Sequence, residues 1–307
     1  MSNPTQNLQT GRIHSPVKGM FWICLSMACF SIINIFVKNL SQDLTPSQIA
    51  FFQNFFALFF LLPFIISMIA AQKKVSFLKT KRPLLHICRI LASAIGVLIW
   101  YTGIAALPKV AQAVALVQTG PFFSILGAKF FLKESIGKER LLMTIIGFIG
   151  AMVIIQPHSI EFGIYSFLPL IAAACFSASS LMARSLSSTE SPEKMVLYLL
   201  LFMTPATLIP ALSDWHPVAS DAIAKLCALG GFAALAHYAL TKAYQMADAG
   251  FLSPFGFSKF PITAIIAFFA FGQTPDTTTL YGASIIILAA FYITKFDVRK
   301  ESKTKNA

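Results

Sequence analysis

Apolar residues run along this chain in long stretches broken by short polar segments. Ten stretches stand out, at roughly 19–38, 46–70, 84–106, 110–131, 141–156, 162–183, 194–212, 222–246, 250–272 and 277–295. Most hold about 20 residues, enough α-helix to cross a hydrocarbon layer of about 30 Å. Alternation with period two is missing, so helices are expected rather than the strands of a membrane barrel. The fifth stretch is the shortest. Residues 1–18 are polar, and the first apolar run is long enough to stay as a span rather than act as a cleaved leader. The expected fold is an all-α integral membrane protein with ten transmembrane helices.

The pattern also repeats. Ala28–Ser31 opens ACFSIINIFVKNLSQDLTP, and Ala174–Ser177 opens ACFSASSLMARSLSSTESP. At an offset of 146, seven of nineteen positions are identical, and Lys38/Arg184 and Thr45/Ser191 are close substitutions. One half is therefore used twice. Five spans per half is an odd number, so the halves enter the membrane in opposite orientations. Lys38 is expected at an outer helix end and Arg184 at an inner one. Inverted repeats place a substrate site near the midplane, between the halves. The expected layout is a tail at 1–18, repeats at 19–156 and 157–295, and a basic tail at 296–307.

The later parts of the halves correspond at an offset of 140, where Pro121 in the fourth stretch matches Pro261 in the ninth. Each proline removes a backbone donor within a span. The ninth stretch also holds Pro254 and Gly256, making it the most interrupted of the ten. Freed carbonyls there face either a cavity or a neighbouring helix.

Composition agrees with the membrane reading. Mean hydropathy is +0.72, only 12% of residues are charged, and there are 30 Phe. The net charge of +12 would suit nucleic acid, but its distribution points to topology. Lys73, Lys74, Lys79, Lys81 and Arg82 cluster in one connection, and Lys295, Arg299, Lys300, Lys303 and Lys305 close the chain. Lys38 and Lys109 fall on the opposite side. This positive-inside bias puts both termini in the cytoplasm and removes nucleic acid as a partner. The five cysteines all lie in apolar spans without a CxxC pair, so they read as packing residues rather than disulfides or metal ligands. Neither metal nor cofactor is expected.

Three segments carry a family likeness. They are RILASAIGVLIWYTGIAALPKVAQAVALVQTGPFFSILGAKFFLKE (Arg89–Glu134), GFIGAMVIIQPH (Gly147–His158) and FLSPFGFSKF with FGQTPDTTTLYGASIIILAAFYI (within Phe251–Ile293). Over about residues 18–297 the chain resembles the EamA-type ten-helix branch of the drug/metabolite transporter superfamily. The resemblance implies two inverted five-helix EamA repeats. It also implies alternating-access movement of a small organic metabolite across the bacterial inner membrane. Within the branch the chain is most similar to the S-adenosylmethionine uptake group, and similar transporters carry riboflavin, amino acids or metallophores. Two positions depart from the pattern: Gln53 stands where an Arg is common, and Gln273 where the second repeat usually has Glu. The first repeat keeps Glu134.

All twelve acidic residues lie in loops, tails or helix ends, so a carboxylate relay at membrane depth has no carrier. That favours a facilitator or exchanger. Lys259 is different. It sits about 15 Å from either end of its stretch, beyond the reach of a snorkelling stem, and a charge there costs about 3 kcal/mol or more without a partner. Either Lys259 meets a carboxylate or phosphate of the substrate, or its helix lies off-centre and the lysine is structural. His237, near the middle of the eighth stretch, either exchanges a proton or is packed and hydrogen-bonded. Arg89 and Lys129 read as snorkelling residues. Further candidates for the substrate site are Thr119 and Gln118, which correspond to Lys259 and Ser258, together with Asn34, Gln53 and Ser177. Trp100, Tyr101 and Phe257 offer rings for stacking or for a cation.

The expected substrate bears a carboxylate, of the S-adenosylmethionine or amino-acid kind. The alternative is an exchanger of phosphorylated or vitamin-like metabolites. The other partner expected is the lipid bilayer, with a homodimer left open. An intramembrane enzyme is the rival from another class: His216 and Asp221 have HxxxxD spacing, but no HExxH, GxSxG or Walker A motif accompanies them. A receptor is the other rival, and solute flux would separate it from a carrier.

Overall fold

Backbone groups find no water in a hydrocarbon layer, so each apolar stretch must bond its own N–H and C=O groups by coiling. The computed structural model describes residues 16–72, 80, 82–132, 138–156, 163–186, 190, 192–247 and 252–305, and among them there is no strand. The helices are α1 (Pro16–Leu40), α2 (Pro46–Gln72), α3 (Pro83–Ala106), α4 (Val110–Val117), α5 (Gly120–Leu132) and α6 (Lys138–Ile155). The second half holds α7 (Leu168–Leu186), α8 (Pro192–Ser213), α9 (Ser220–Met246), α10 (Lys259–Phe271) and α11 (Thr277–Lys305). Short 3₁₀ turns, Ile164–Phe167 and Ser253–Ser258, lead into α7 and α10. Four helices begin on a proline, whose missing N–H costs nothing at a first helical position. Gly272 closes α10 at φ 66°, a conformation that suits a residue without a Cβ, and its N–H returns to Phe268 O at 2.8 Å.

Seven segments are long and apolar enough to cross a bilayer, and the shorter apolar helices Leu141–Ile155, Phe255–Phe271 and Thr277–Ile293 complete the ten-span fold. Large apolar side chains face outward, Phe269 at 80% exposure among them, as lipid contact requires.

The fourth stretch, expected as one helix over 110–131, is two. α4 ends at Val117, Gln118 and Thr119 form a tight turn, and α5 starts at Gly120. Pro121 is the physical reason, because its nitrogen has no hydrogen to give Val117 O. The last helix runs on to Lys305 instead of stopping at 295, since Lys, Arg and Glu are good helix formers even where the chain turns polar. Glu134, the Lys73–Lys79 cluster and Lys81 lie outside the described residues, as do the side chains of Lys129, Arg184 and Pro254.

The two halves pack as one map read twice. α1 lies against α9, and α7 lies against α3. α1 also meets the Ser253–Ser258 turn and α10, while α7 meets α4 and α5. α2 packs on α8, and α6 on α11, so each of these pairs exchanges with itself. The α6–α11 contact is a backbone approach through Gly150 and Gly282. A Cβ on Gly282 would lie 2.5 Å from Gly150 O and 2.4 Å from Ile154 Cγ1. Small residues allow such close helix contact inside a membrane. Gly282→Val should therefore cost about 1–3 kcal/mol through overpacking. It should lower the thermal unfolding midpoint of the solubilised protein, whereas Gly163→Val, with nothing within 4 Å of the new Cβ, should leave the midpoint unchanged.

Candidate functional site

The two broken spans meet. In the first half, Gln118 N and Thr119 N return to Ala115 O (3.3 Å) and Leu116 O (3.2 Å), tightening the end of α4 before Pro121. In the second half, the Ser253–Ser258 turn hands over to α10 at Lys259, and Pro261 follows in its first turn. Gln118 Nε2 then donates to Gly256 O at 3.4 Å and ties one break to the other.

Each break is also held by a serine of the duplicated ACFS motif. Ser31, on α1, lies 3.2 Å from Lys259 O, and Ser177, on α7, donates to Gly120 O at 2.7 Å. Thr119 corresponds to Lys259 at the 140 offset, so the two serines reach adjacent equivalent carbonyls. The repetition of ACFS thus has a physical purpose: a small buried hydroxyl that steadies the partner span where its helix is interrupted.

Lys259 stands at the centre. Its Nζ lies 5.6 Å from the ring centroid of Phe30 and 5.3 Å from that of Trp100, within cation–π range of both. His237 meets Phe30 edge-on at 5.7 Å. Among the described residues no carboxylate pairs with Lys259, and no group of His, Cys, Asp and Glu is arranged to hold a metal ion. Lys259 begins α10, but the 3₁₀ turn runs straight into it and the Lys259 N–H returns to Gly256 O, so the two segments are continuous there.

The remaining candidates divide. Trp100, Tyr101, Phe257, Gln53 and Asn34 are buried. The Tyr101 hydroxyl donates to Gln53 Oε1, which joins α3 to α2 and occupies both groups. Asn34 Nδ2 is buried without a partner among the described residues, and so is Ser258 Oγ beside Lys259. A buried polar atom left unpaired costs about 1–3 kcal/mol, a debt that a bound solute can cancel. Thr119 is fully buried, and its hydroxyl is committed to Leu116 O at 2.8 Å. Ser177 is likewise committed to Gly120 O. Both steady a break with the hydroxyl they would otherwise offer a substrate. Phe30, Ser31 and Ser258 went unselected in the sequence; Phe30 and Ser31 sat inside the repeated ACFS.

Gln273 makes two backbone contacts, one of which a Glu could not make. Its Nε2 donates to Pro108 O (2.9 Å), and its Oε1 accepts from Val110 N (3.2 Å). A carboxylate lacks the donor. Lys109 and Asp276 form an ion pair alongside. Lys38 Nζ donates to Ala105 O and Leu107 O, at 2.9 and 2.7 Å, closing the end of α3.

Comparison with known proteins adds to this geometry. The model of the EamA-like transporter family matches residues 17–156 and 163–295. A riboflavin transporter of Rhizobium johnstonii is 38% identical over 290 residues, covering 94% of this chain and 94% of that one. A riboflavin transporter of Vibrio cholerae serotype O1 is 33% identical over 296 residues, 95% of this chain and 98% of its own. An S-adenosylmethionine uptake transporter of Rickettsia bellii is 31% identical over 285 residues, 93% and 96%. A solved crystal structure shares the fold at a TM-score of 0.60 and 16% identity, covering 92% of this chain and 97% of its own.

The Tyr101–Gln53 bond is open to a direct test. Tyr101→Phe and Gln53→Leu each strand one buried polar group and should each cost about 1–3 kcal/mol. The double variant should cost clearly less than their sum in a thermal-unfolding cycle.

Proposed function

The chain belongs to the EamA-like transporter family, and on that premise we propose that it carries a flat, uncharged heteroaromatic metabolite of the riboflavin type by alternating access. The membrane in this reading is the bacterial inner membrane, with both termini in the cytoplasm. The observation that carries it is the setting of Lys259: an ammonium between two aromatic rings, with no carboxylate partner among the described residues. A site of this kind offers donors and π-faces and no described counter-charge for a cation. An isoalloxazine ring is rich in carbonyl and ring-nitrogen acceptors and has a broad face for stacking. Asn34 Nδ2 and Ser258 Oγ, both without a partner among the described residues, add donors. The riboflavin transporters among the relatives support the same reading.

In this mechanism the solute binds between the halves, where the two broken spans meet. The Lys259 ammonium takes up acceptor density on the solute. Exchange of conformations between the inverted halves then moves the opening from one face of the membrane to the other.

A second reading is a carboxylate-bearing solute such as S-adenosylmethionine, which the Rickettsia relatives carry by name. It is favoured by the same lysine, without a carboxylate partner among the described residues, which would receive the carboxylate of the solute. Against it, the ammonium repels a sulfonium, and no described carboxylate offsets that repulsion.

Labelled solute flux in proteoliposomes separates the two. Riboflavin uptake should saturate and be blocked by excess unlabelled riboflavin but not by S-adenosylmethionine. Lys259→Ala should raise KM for riboflavin about tenfold, the equivalent of roughly 1.4 kcal/mol, without loss of protein from the membrane. Flux of S-adenosylmethionine with none of riboflavin would replace the first reading with the second.

A further inference from the structure

We propose that Ser31 is the positioning residue for Lys259: its hydroxyl holds the lysine's backbone so that the ammonium is presented between Phe30 and Trp100. This rests on the reading of Lys259 as the group that meets the solute, and it assigns a role to a residue that touches no solute itself.

α1 grips Lys259 at both ends from a single turn. Phe30 faces the Nζ at 5.6 Å, and the next residue, Ser31, lies 3.2 Å from the carbonyl oxygen. Fixing the carbonyl fixes the Cα from which the four-carbon stem sets out. The stem is otherwise loose, because no described carboxylate pins its far end.

The serine is itself held. Thr263, one turn along α10 from Lys259, donates its hydroxyl to Ser31 Oγ at 2.9 Å, and both residues are fully buried. Ser31 has one proton and two acceptors in reach, Met27 O at 2.8 Å and Lys259 O at 3.2 Å. The bond from Thr263 occupies a lone pair and limits how the Ser31 hydroxyl turns.

The other half supplies a built-in comparison. Ser177 reaches Gly120 O, beside Thr119, the counterpart of Lys259. At the same offset of 140 the counterpart of Thr263 is Phe123, which has no hydroxyl. Both breaks thus have their serine, but the second hydroxyl is added only where the break carries a charge. A purely structural serine would need no such difference.

Two readouts test this. The chain has three tryptophans, so Trp22→Phe with Trp215→Phe leaves Trp100 as the sole indole, reporting the lysine without any solute. In that background Lys259→Gln should shift Trp100 emission. Ser31→Ala should shift it in the same direction, Ser31→Thr should restore it, and Ser177→Ala should leave it unchanged. In riboflavin transport Ser31→Ala should raise KM about fivefold, the weight of one hydrogen bond, with Vmax nearly kept. Combined with Lys259→Gln it should add nothing.

If Ser31→Ala yields no folded protein, Ser31→Cys keeps the volume with a weaker donor and should show the same shifts. An emission shift for Lys259→Gln with none for Ser31→Ala or Ser31→Cys would overturn the positioning role. So would equal shifts from Ser177→Ala. An emission shift from Ser31→Ala with no change of KM in Lys259→Gln would instead keep the positioning role and overturn the reading of Lys259 as the solute contact.

Discussion

A proline nitrogen has no hydrogen to give, and inside a bilayer there is no water to take its place at the carbonyl left waiting. Pro121 and Pro261 impose that constraint at matching points of the two halves, and much of the central architecture answers it. The fourth span splits into α4 and α5, and the ninth begins as a 3₁₀ turn before becoming α10. Side chains then brace the interrupted segments, at carbonyls other than Val117 O and Phe257 O, the two whose proline donors are missing. Gln118 crosses to Gly256 O, Ser177 to Gly120 O and Ser31 to Lys259 O. Irregular backbone at membrane depth is tolerated where protein encloses it, and Thr119 and Phe257, one in each break, are buried.

Once the backbone is interrupted there, the site has somewhere to be. An uninterrupted helix presents side chains on a fixed spiral with every peptide group occupied. Here the two breaks meet, joined across the halves by Gln118. Lys259 stands where the 3₁₀ turn becomes α10, and Phe30 and Trp100 reach it from α1 and α3. The charge is therefore accommodated by aromatic faces and by its position between the halves, not by a described counter-ion.

The architecture was largely legible in the sequence because it depends on quantities that sequence displays directly: the length of apolar runs and a self-match at 146. Lys259 was legible for the same reason, as a charge too far from either end of its run to reach water. The break in the fourth span was half legible. Pro121 announced a missing donor, but whether α4 would bend or stop depended on the tight turn that Gln118 and Thr119 adopt. Thr119 and Ser177 stand out in the sequence because both are polar at membrane depth. Which hydroxyls are already spent on carbonyls depends on tertiary neighbours that no local pattern encodes. Phe30 was hidden by abundance, one ring among 30 Phe, and only its neighbours in space distinguish it.

Duplication carries a thermodynamic corollary. Were the halves identical, swapping their conformations would turn the inward-open carrier into the outward-open one at no cost. The two faces would then be equally populated and equally receptive. Each non-equivalent pair lifts that degeneracy, and the pair Thr119 and Lys259 is one of these, because one member carries a charge and the other none. Where the second copy stopped resembling the first, the two halves no longer have to be equal in energy.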